Sequence, residues 1–363
     1  MKRFFPVLFV SLFFFFPTVS LAQSANQAEY YKGNVEKILN ETTDKTIQSV
    51  KQSLSVKLLE GPEKGKTVTA SYVFPEKSKP WQSLQKGDDI VVVKQAAQGS
   101  AYGIYDRFRF TNIIFIAIGF ALLVLIVAGL RGIGSLLGLA ISLAIILFFI
   151  VPQILGGQDP LFISIIGSLV IMVTTIYLAH GFSQRTTIAI ASTFLSLLIT
   201  GLLAVLFVHL LRLTGGGSED AYMLQFGKQA INLQGLLLGG IIIGTLGVLD
   251  DTTTTQAATI FTLAETNAKL KVRDLIRKGL FIGREHITSL VNTLVLAYAG
   301  ASLPLFIFFI LNPLQQPLWV ILNNEMVVEE IARTLAGSIG LILAVPITTV
   351  MAAFFARYSL KIK

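Results

Sequence analysis

Residues 110–130 read FTNIIFIAIGFALLVLIVAGL, a stretch without one charged side chain. A helix that crosses a bilayer needs about 20 consecutive apolar residues, and this stretch reaches that length by itself. Five apolar stretches of similar length follow it, together with a shorter, glycine-rich one. The predicted spans are 110–130, 133–152, 160–180, 187–211, 233–249, 287–311 and 328–356. The sequence therefore predicts a polytopic α-helical membrane protein with about seven transmembrane helices.

The lysines and arginines cluster at the ends of these spans and fix a topology. If all seven spans cross, the positive charges of the short loops divide 11 to 2 between the two sides, which the positive-inside rule explains when the richer side is cytoplasmic. This topology places the carboxyl terminus in the cytoplasm. The expected location of the protein is the inner membrane of a bacterium. The cytoplasmic residues are Arg131, Arg185, Lys269, Lys271, Arg273, Arg277, Lys278, Arg284, Arg357, Lys361 and Lys363, and the outer ones are Arg212 and Lys228.

The amino terminus has the pattern of a secretory signal peptide over residues 1–22. Lys2 and Arg3 precede an apolar run from Phe4 to Phe16, and Ser20-Leu21-Ala22 supplies small residues for cleavage. Cleavage after Ala22 is the favoured interpretation, and a retained anchor is the alternative. In both cases residue 23 and those after it begin outside the cytoplasm.

Residues 23–109 differ from the rest of the chain and predict a small extracytoplasmic domain. They hold 23 of the 50 charged side chains, so this part faces water. Short windows alternate apolar and polar residues between glycine- and proline-containing turns, as half-buried strands do. Five strands in so few residues are typical of a small β-barrel, and an OB-like barrel is one arrangement that fits. The predicted strands are 34–39, 52–58, 66–74, 89–94 and 101–105.

The sequence lacks the residues or motifs that several classes of functional site need. There is no cysteine, and the three histidines are scattered without metal-ligand spacing. No GxSxG motif occurs. The net charge of +8 comes from span ends rather than from a basic patch interleaved with aromatic residues. We therefore expect no enzyme, cofactor, metal centre or nucleic-acid partner.

The segment from Gly235 to Gln256 is the strongest candidate for a functional site. Glycine pairs at 235/239 and 240/244 allow helices to approach closely. Asp250 and Asp251 then precede four threonines, which predicts a broken helix whose second half a carboxylate caps. Broken helices at membrane depth hold ion and substrate sites in transporters. The candidate ligands are Asp250, Asp251, Thr252, Thr254 and Gln256. Alternatively, the span ends at Leu249 and both carboxylates lie in cytoplasmic water.

Other polar residues lie within or beside the last two spans. Glu329 and Arg333 are four residues apart, so they share a helix face and can pair; with Glu330 they form either a gate or substrate contact, or a structural ion pair. His286, beside Arg284 and Glu285, is either part of a proton relay or of a helix-end charge cluster. Asn292 is a candidate cavity-lining residue.

The connection at about 256–283 is predicted to be an amphipathic cytoplasmic segment. Its apolar positions near Val272 to Leu280 share one helix face, and its basic residues lie off that face. Such a helix is expected in the headgroup region of the bilayer, with a docking site for a cytoplasmic protein as the alternative.

Several motifs of the apolar part occur in an order that resembles the YibE/F family of bacterial membrane proteins. They are GVLDDTTTTQAA at 247–258, GREHI at 283–287, NTLVLAYAGASLP at 292–304, EEIAR at 329–333 and GSIG at 337–340. The resemblance covers about 110–363, and residues 23–109 resemble the family's variable amino-terminal part in position only. It implies a polytopic membrane protein and implies no particular substrate.

Two functions compete on this basis. The first is a transporter or channel that binds a proton, cation or small solute at Asp250 and Asp251, with Glu329, Glu330 and Arg333 as a second charged layer. The second is a non-transporting envelope assembly or signalling scaffold, whose outer domain at residues 23–109 binds an envelope protein. The lipid bilayer is the one partner common to both.

Overall fold

The computed structural model describes residues 29–46, 48–77, 82–95, 101–226, 231–312 and 315–362. The predicted signal peptide lies outside these residues. The chain divides into two compact units, one within residues 19–123 and the other formed mainly by residues 124–363.

The first unit is a closed five-stranded barrel, which confirms the predicted β-rich domain. Its strands are β1 (Glu29–Asp44), β2 (Ser49–Leu58), β3 (Thr67–Pro75), β4 (Asp89–Gln95) and β5 (Ala101–Arg107), in the order β1-β2-β3-β5-β4 around the barrel. All neighbouring strands are antiparallel except β3 and β5. β1 is much longer than predicted because two irregularities, between Val35 and Lys37 and between Ile38 and Asn40, let it pair with both neighbours.

Alternate residues of the strands fill the barrel. Val35, Leu54, Val56 and Ile90 are completely buried there, as the period-2 pattern predicts. The Gln52 amide is also buried, and its Oε1 accepts a hydrogen bond of 3.1 Å from the Leu84 backbone N–H. This bond satisfies the amide oxygen inside the apolar core.

The apolar part of the chain is helical. The helices are α1 (Phe110–Ala128), α2 (Leu130–Ile145), α3 (Val151–Leu155), α4 (Pro160–His180), α5 (Gln184–Leu210), α6 (Glu219–Leu224), α7 (Leu233–Thr266), α8 (Val272–Ala301), α9 (Leu303–Leu311), α10 (Leu318–Leu322) and α11 (Glu325–Ile362). A π-helical turn, Ile146–Ile150, joins α2 to α3 without a break. Six helical stretches are long and apolar enough to cross a membrane, or seven if the bent pair α8 and α9 counts as one span.

Three long helices, α5, α7 and α11, pack against one another; α4 packs on α7, and α8 packs on α11. Small residues allow the close contacts: Gly239 of α7 faces Ser164 of α4, and Gly340 of α11 faces Thr200 of α5. Ile242, Leu246, Leu249 and Leu341 belong to the apolar core of the bundle.

The predicted break in the fifth span is wrong. α7 runs without interruption through the Asp-Asp-Thr segment, and its amino-terminal cap is Asn232, whose side chain accepts from the Gly235 N–H. The threonine hydroxyls bond to carbonyls one turn earlier in the same helix: Thr252 donates to Val248 O at 2.9 Å, and Thr254 to Asp250 O at 2.9 Å. Threonines in this position accompany a helix rather than end it.

The segment at 256–283 contains parts of two helices. It contains the end of α7, a turn, and the start of α8. The apolar face of α8 packs against protein: Leu275 is completely buried, in a cluster with Ile260 and Phe261 of α7. Farther along, α8 meets α9 with a bend of 64°; Pro304 in the first turn of α9 lacks the N–H that would continue the helix.

Candidate functional site

A cavity of about 720 Å³ lies between α2, α4 and α7. It extends along α7 from Gly247 to Leu263 and reaches the first part of α2 and the last turn of α4. Its polar lining consists of Ser135 from α2, Thr175 and His180 from α4, and Asp250, Asp251, Thr254, Thr255, Thr259 and Thr262 from α7.

Helix geometry brings these α7 residues to one wall. Positions three or four apart share a helix face, so Gly247, Asp251 and Thr254 line up and Asp250 lies at their edge. Gly247 has open space where a side chain would be. Gly138 of α2 and Thr175 of α4 pack against each other and close the opposite wall.

Asp250 has the most unusual environment of these residues. Its side chain is half-buried, and Oδ1 is inaccessible to solvent and without a hydrogen-bond partner among the described residues. Asp251 beside it is exposed to the cavity. The described lining holds no lysine or arginine to balance the two carboxyl groups. A buried carboxylate oxygen without a partner is unfavourable.

The helix does not end just before the carboxylates, although it is longer than a bilayer core of about 30 Å. Asp250 is the eighteenth of the 34 residues of α7, which leaves about 25 Å of helix on each side at 1.5 Å per residue. The two carboxyl groups therefore lie near the middle of α7 and not at its end.

The other predicted ligands of this segment divide between two faces of α7. Thr254 lines the cavity with the aspartates. Thr252 is completely buried and does not line it. Gln256 is also buried elsewhere: its Nε2 donates to Gly279 O of α8 at 3.0 Å and to Thr349 Oγ1 of α11 at 2.7 Å. Gln256 thus joins three helices instead of facing the cavity.

The acidic cluster of α11 contacts the loop between α5 and α6. Glu325 accepts from Thr214, through the backbone N–H at 2.5 Å and the hydroxyl at 2.7 Å. Glu329 is buried and accepts from the Gly217 N–H at 3.0 Å. A Cβ at Gly217 would lie 2.8 Å from the Glu329 carboxyl carbon, so the loop approaches this carboxylate closely.

The predicted Glu329–Arg333 pair is therefore wrong. Arg333 instead lies 3.2 Å from Glu330, three residues earlier on the same helix, through its Nε. Glu329 instead accepts a hydrogen bond from the loop through its Oε1. This cluster belongs to the opposite end of the bundle from the cavity's mouth at His180 and does not line the cavity.

The remaining predicted residues also lie away from the cavity. His286 is half-buried in α8, with an Nε2 that is inaccessible to solvent and has no hydrogen-bond partner in the described part of the chain. Asn292 is exposed on the same helix. Neither lines the cavity around Asp250. No three histidine, aspartate or glutamate side chains converge on a metal position within the described residues.

Sequence reasoning missed the half of the cavity that α2 and α4 contribute. Ser135, Thr175 and His180 are isolated polar residues in apolar segments, and nothing in their local sequence marks them. A helical-wheel comparison could have identified Thr254, Ala258 and Thr262 as one face with Asp251. Only the packing of α2 and α4 beside α7 supplies the rest.

Comparisons with known proteins agree with the apolar architecture. No curated protein and no solved structure matched this chain. A family profile described as YibE/F-like protein matches residues 116–358, which is about two thirds of the chain and includes every helix from α2 to α10. Together with the long apolar helices, the match indicates an integral membrane protein. The chain belongs to the YibE/F-like family.

Proposed function

We propose that this protein is a transporter or channel, not an enzyme, and that Asp250 and Asp251 bind a proton or cation in the cavity between α2, α4 and α7. One observation carries the proposal. Two adjacent carboxyl groups lie at the centre of a long apolar helix, and one of them has a buried oxygen without a hydrogen-bond partner in the described part of the chain. Carboxyl groups within a membrane-spanning segment are expensive and are generally functional.

The lining supports a cation or proton in preference to an anion. Threonine hydroxyls at 254, 255 and 259 supply neutral oxygen ligands beside the two carboxyl groups, and hard cations prefer oxygen ligands. His180, at the end of α4, also lines the cavity. The path from His180 to Asp250 runs past hydroxyl groups, which donate and accept protons.

The proposal includes the orientation of the chain in the membrane. The charge pattern supports a bacterial inner-membrane protein with the barrel outside the cell interior, the carboxyl terminus in the cytoplasm and a cleaved signal peptide. Under this topology the cavity opens near the cytoplasmic ends of α2 and α4. The strand order of the barrel, with its parallel β3–β5 pair, supports an OB-like assignment.

A second function, the envelope scaffold, is favoured by one feature of the barrel. Tyr30 and Tyr105 are 54% and 66% exposed and form an edge-to-face pair, with ring centroids 5.3 Å apart. Exposed aromatic pairs are typical of protein-binding surfaces. In this proposal the surface of residues 23–109 binds an envelope protein, and loss of that binding in Tyr30→Ala/Tyr105→Ala would support it.

Charge displacement on a solid-supported membrane tests the transport proposal. Proteoliposomes with wild-type protein and with the Asp250→Asn/Asp251→Asn variant would receive steps of pH and of inorganic cations, and Asp220→Asn, an exposed carboxylate of α6, is the matched control. We expect a current in the wild type and in the control, and none in the double variant. Equal currents in all three would exclude the aspartate site, and no current in any of them would favour the scaffold.

A further inference from the structure

Arg333 occupies an unusual position in α11. It lies eight residues after Glu325, the first residue of the helix, which is about 12 Å along the axis. Its guanidinium group makes no hydrogen bond to any described residue, and its Nε is buried. An arginine has five N–H donors, and burying them without acceptors is unfavourable.

Glu330 is its one ion-pair partner in the described chain, and that partner is weak. The Nε and the Glu330 Oε2 are 3.2 Å apart, yet neither atom has a hydrogen bond. Because both residues belong to one helix, the pair joins no two elements of the bundle. The side chains remain 29% and 31% exposed. Glu325 and Glu329 are engaged with the α5–α6 loop.

Two glycines of the neighbouring helix α7 lie beside Arg333 and Tyr298. Gly240 of α7 lies next to Arg333, with 3.6 Å between the position of a Cβ there and Nη1. One turn farther, Gly244 lies next to the Tyr298 hydroxyl of α8, with 3.4 Å between its Cβ position and Oη. Whereas Gly239 packs against α4, these two glycines face a guanidinium and a phenol, both hydrogen-bond donors.

We propose that Arg333 and Tyr298 form a binding site for a small oxyanion, a carboxylate or phosphate group of the transported solute. Without solute, the Glu330 carboxylate lies beside the Arg333 guanidinium group. When the solute binds, its carboxylate or phosphate group replaces Glu330 there. A fork of guanidinium N–H groups binds such anions in a bidentate manner, and the phenol adds one donor. This extends the proposed function by naming the solute class, with the proton or cation bound separately at Asp250.

The site differs from the acidic cavity in both chemistry and place. The cavity around Asp250 carries carboxyl and hydroxyl groups between α2, α4 and α7, while Arg333 and Tyr298 face α7 from α11 and α8. In this proposal an anion and a cation bind to different residues.

Anion-dependent stabilisation of the full-length protein tests the proposal. The unfolding temperature in detergent would be measured with acetate, succinate, phosphate and sulfate against chloride at equal ionic strength, because a bound ligand stabilises the folded state. We expect at least one of these oxyanions to raise the unfolding temperature. Because each anion is tested separately, the result distinguishes carboxylates from phosphate. Arg333→Gln should remove the increase, and Arg357→Gln, an arginine that bonds to Ala268 O at the far end of α11, should retain it.

Glu330→Gln makes the test independent of whether Arg333→Gln folds. Removing the resident carboxylate should lower the half-maximal anion concentration severalfold, while Gly244→Leu, which fills the space beside Tyr298, should raise it. The proposal is overturned if no oxyanion exceeds chloride in the wild type, if Arg333→Gln keeps the full increase, or if Glu330→Gln weakens binding. Asp250→Asn should keep the increase, so that failure of this site and failure of the proposed cation site are distinguishable.

Discussion

Asp250 and Gln256 are six residues apart on α7 and have opposite environments. Asp250 faces a cavity with an oxygen that lacks a partner in the described chain, while the Gln256 amide is fully occupied between α8 and α11. The difference follows from helix geometry, because six residues correspond to about 600° of rotation at 100° per residue. The two side chains therefore point in different directions, and only the first remains available to a ligand.

Replacing Gln256 should affect stability and not transport. Gln256→Leu removes the donor to Gly279 O and Thr349 Oγ1 inside the bundle, and we expect a loss of about 1–3 kcal/mol in the free energy of unfolding. Unfolding in mixed micelles, followed by circular dichroism, measures it. If the variant has wild-type stability but carries no current, Gln256 is instead a ligand of the transported ion.

Glu63 in the β2–β3 connection gives the barrel a pH dependence. Hydrogen bonds from Lys66 and Lys94, at 2.6 Å each, and from Tyr102 lower the pKa of Glu63 to about 2 from its usual 4.5. A carboxyl group with a lowered pKa stabilises the folded state above its unfolded pKa, and this stabilisation is lost as the pH falls from about 4.5 towards 2.

We therefore expect Glu63→Gln to lower the unfolding temperature of a fragment of residues 23–109 at pH 7. The barrel closes around its own core, which makes the fragment suitable. The difference from the wild type should shrink as the pH falls below 4.5. Glu76→Gln, at an exposed glutamate of the same domain, serves as the control, and a difference that stays constant from pH 7 to pH 2 would contradict the prediction.

Single residues also show the limits of sequence reasoning. Asp250, Asp251 and Thr254 were predictable because carboxylates and a threonine run are conspicuous in an apolar helix. The partner of Arg333 was not, since Glu329 and Glu330 both lie within one turn of it on the helix. The Thr214–Gly217 loop donates hydrogen bonds to Glu325 and Glu329. Glu330 is therefore the carboxylate that lies beside Arg333.

At the scale of elements, α7 shows why a polar segment need not break a helix. The Asp-Asp-Thr segment reads as an interruption because threonine and aspartate have modest helix propensity. Their hydroxyls bond to carbonyls of the same helix, and tertiary contacts on α5 and α11 hold the chain helical. Thr193 of α5, for example, bonds to Thr253 at 2.5 Å. These contacts lie far apart in sequence and were not predictable.

The close approach of α5 and α11 at Gly340 leads to a prediction about the stability of the helical bundle. A Cβ at Gly340 would overlap the Thr200 hydroxyl and lie 3.0 Å from the Thr200 Cβ. Gly340→Ala should therefore destabilise the bundle by about 1–3 kcal/mol, measured by unfolding in mixed micelles.

Gly119→Ala is the matched control, because nothing lies within 4 Å of that position and alanine has the higher helix propensity. Thr200→Ala should recover part of the loss in the double variant, since the two residues are in direct contact. Equal stability of Gly340→Ala and Gly119→Ala would show that α5 and α11 are not packed as described.

At the scale of the whole molecule, each unit follows a different periodicity. Alternation with a period of two residues predicted the five strands, and long apolar runs predicted the spans. Length and composition therefore gave the architecture of both units. The cavity required knowledge of which helices are neighbours, because residues from Ser135 of α2 to Leu263 of α7, 263 − 135 = 128 positions apart, line it together.

The central claim is that Asp250 binds a proton or cation inside the helical unit. Infrared difference spectroscopy on the reconstituted full-length protein tests it most directly, with pH steps and cation steps applied to wild type, Asp250→Asn and Asp251→Asn. We predict a carboxyl band in the wild-type difference spectrum that isotope-labelled aspartate shifts and that Asp250→Asn removes. A spectrum of Asp250→Asn that equals the wild-type spectrum would contradict the claim, because no ionisation or ligation change would then belong to Asp250.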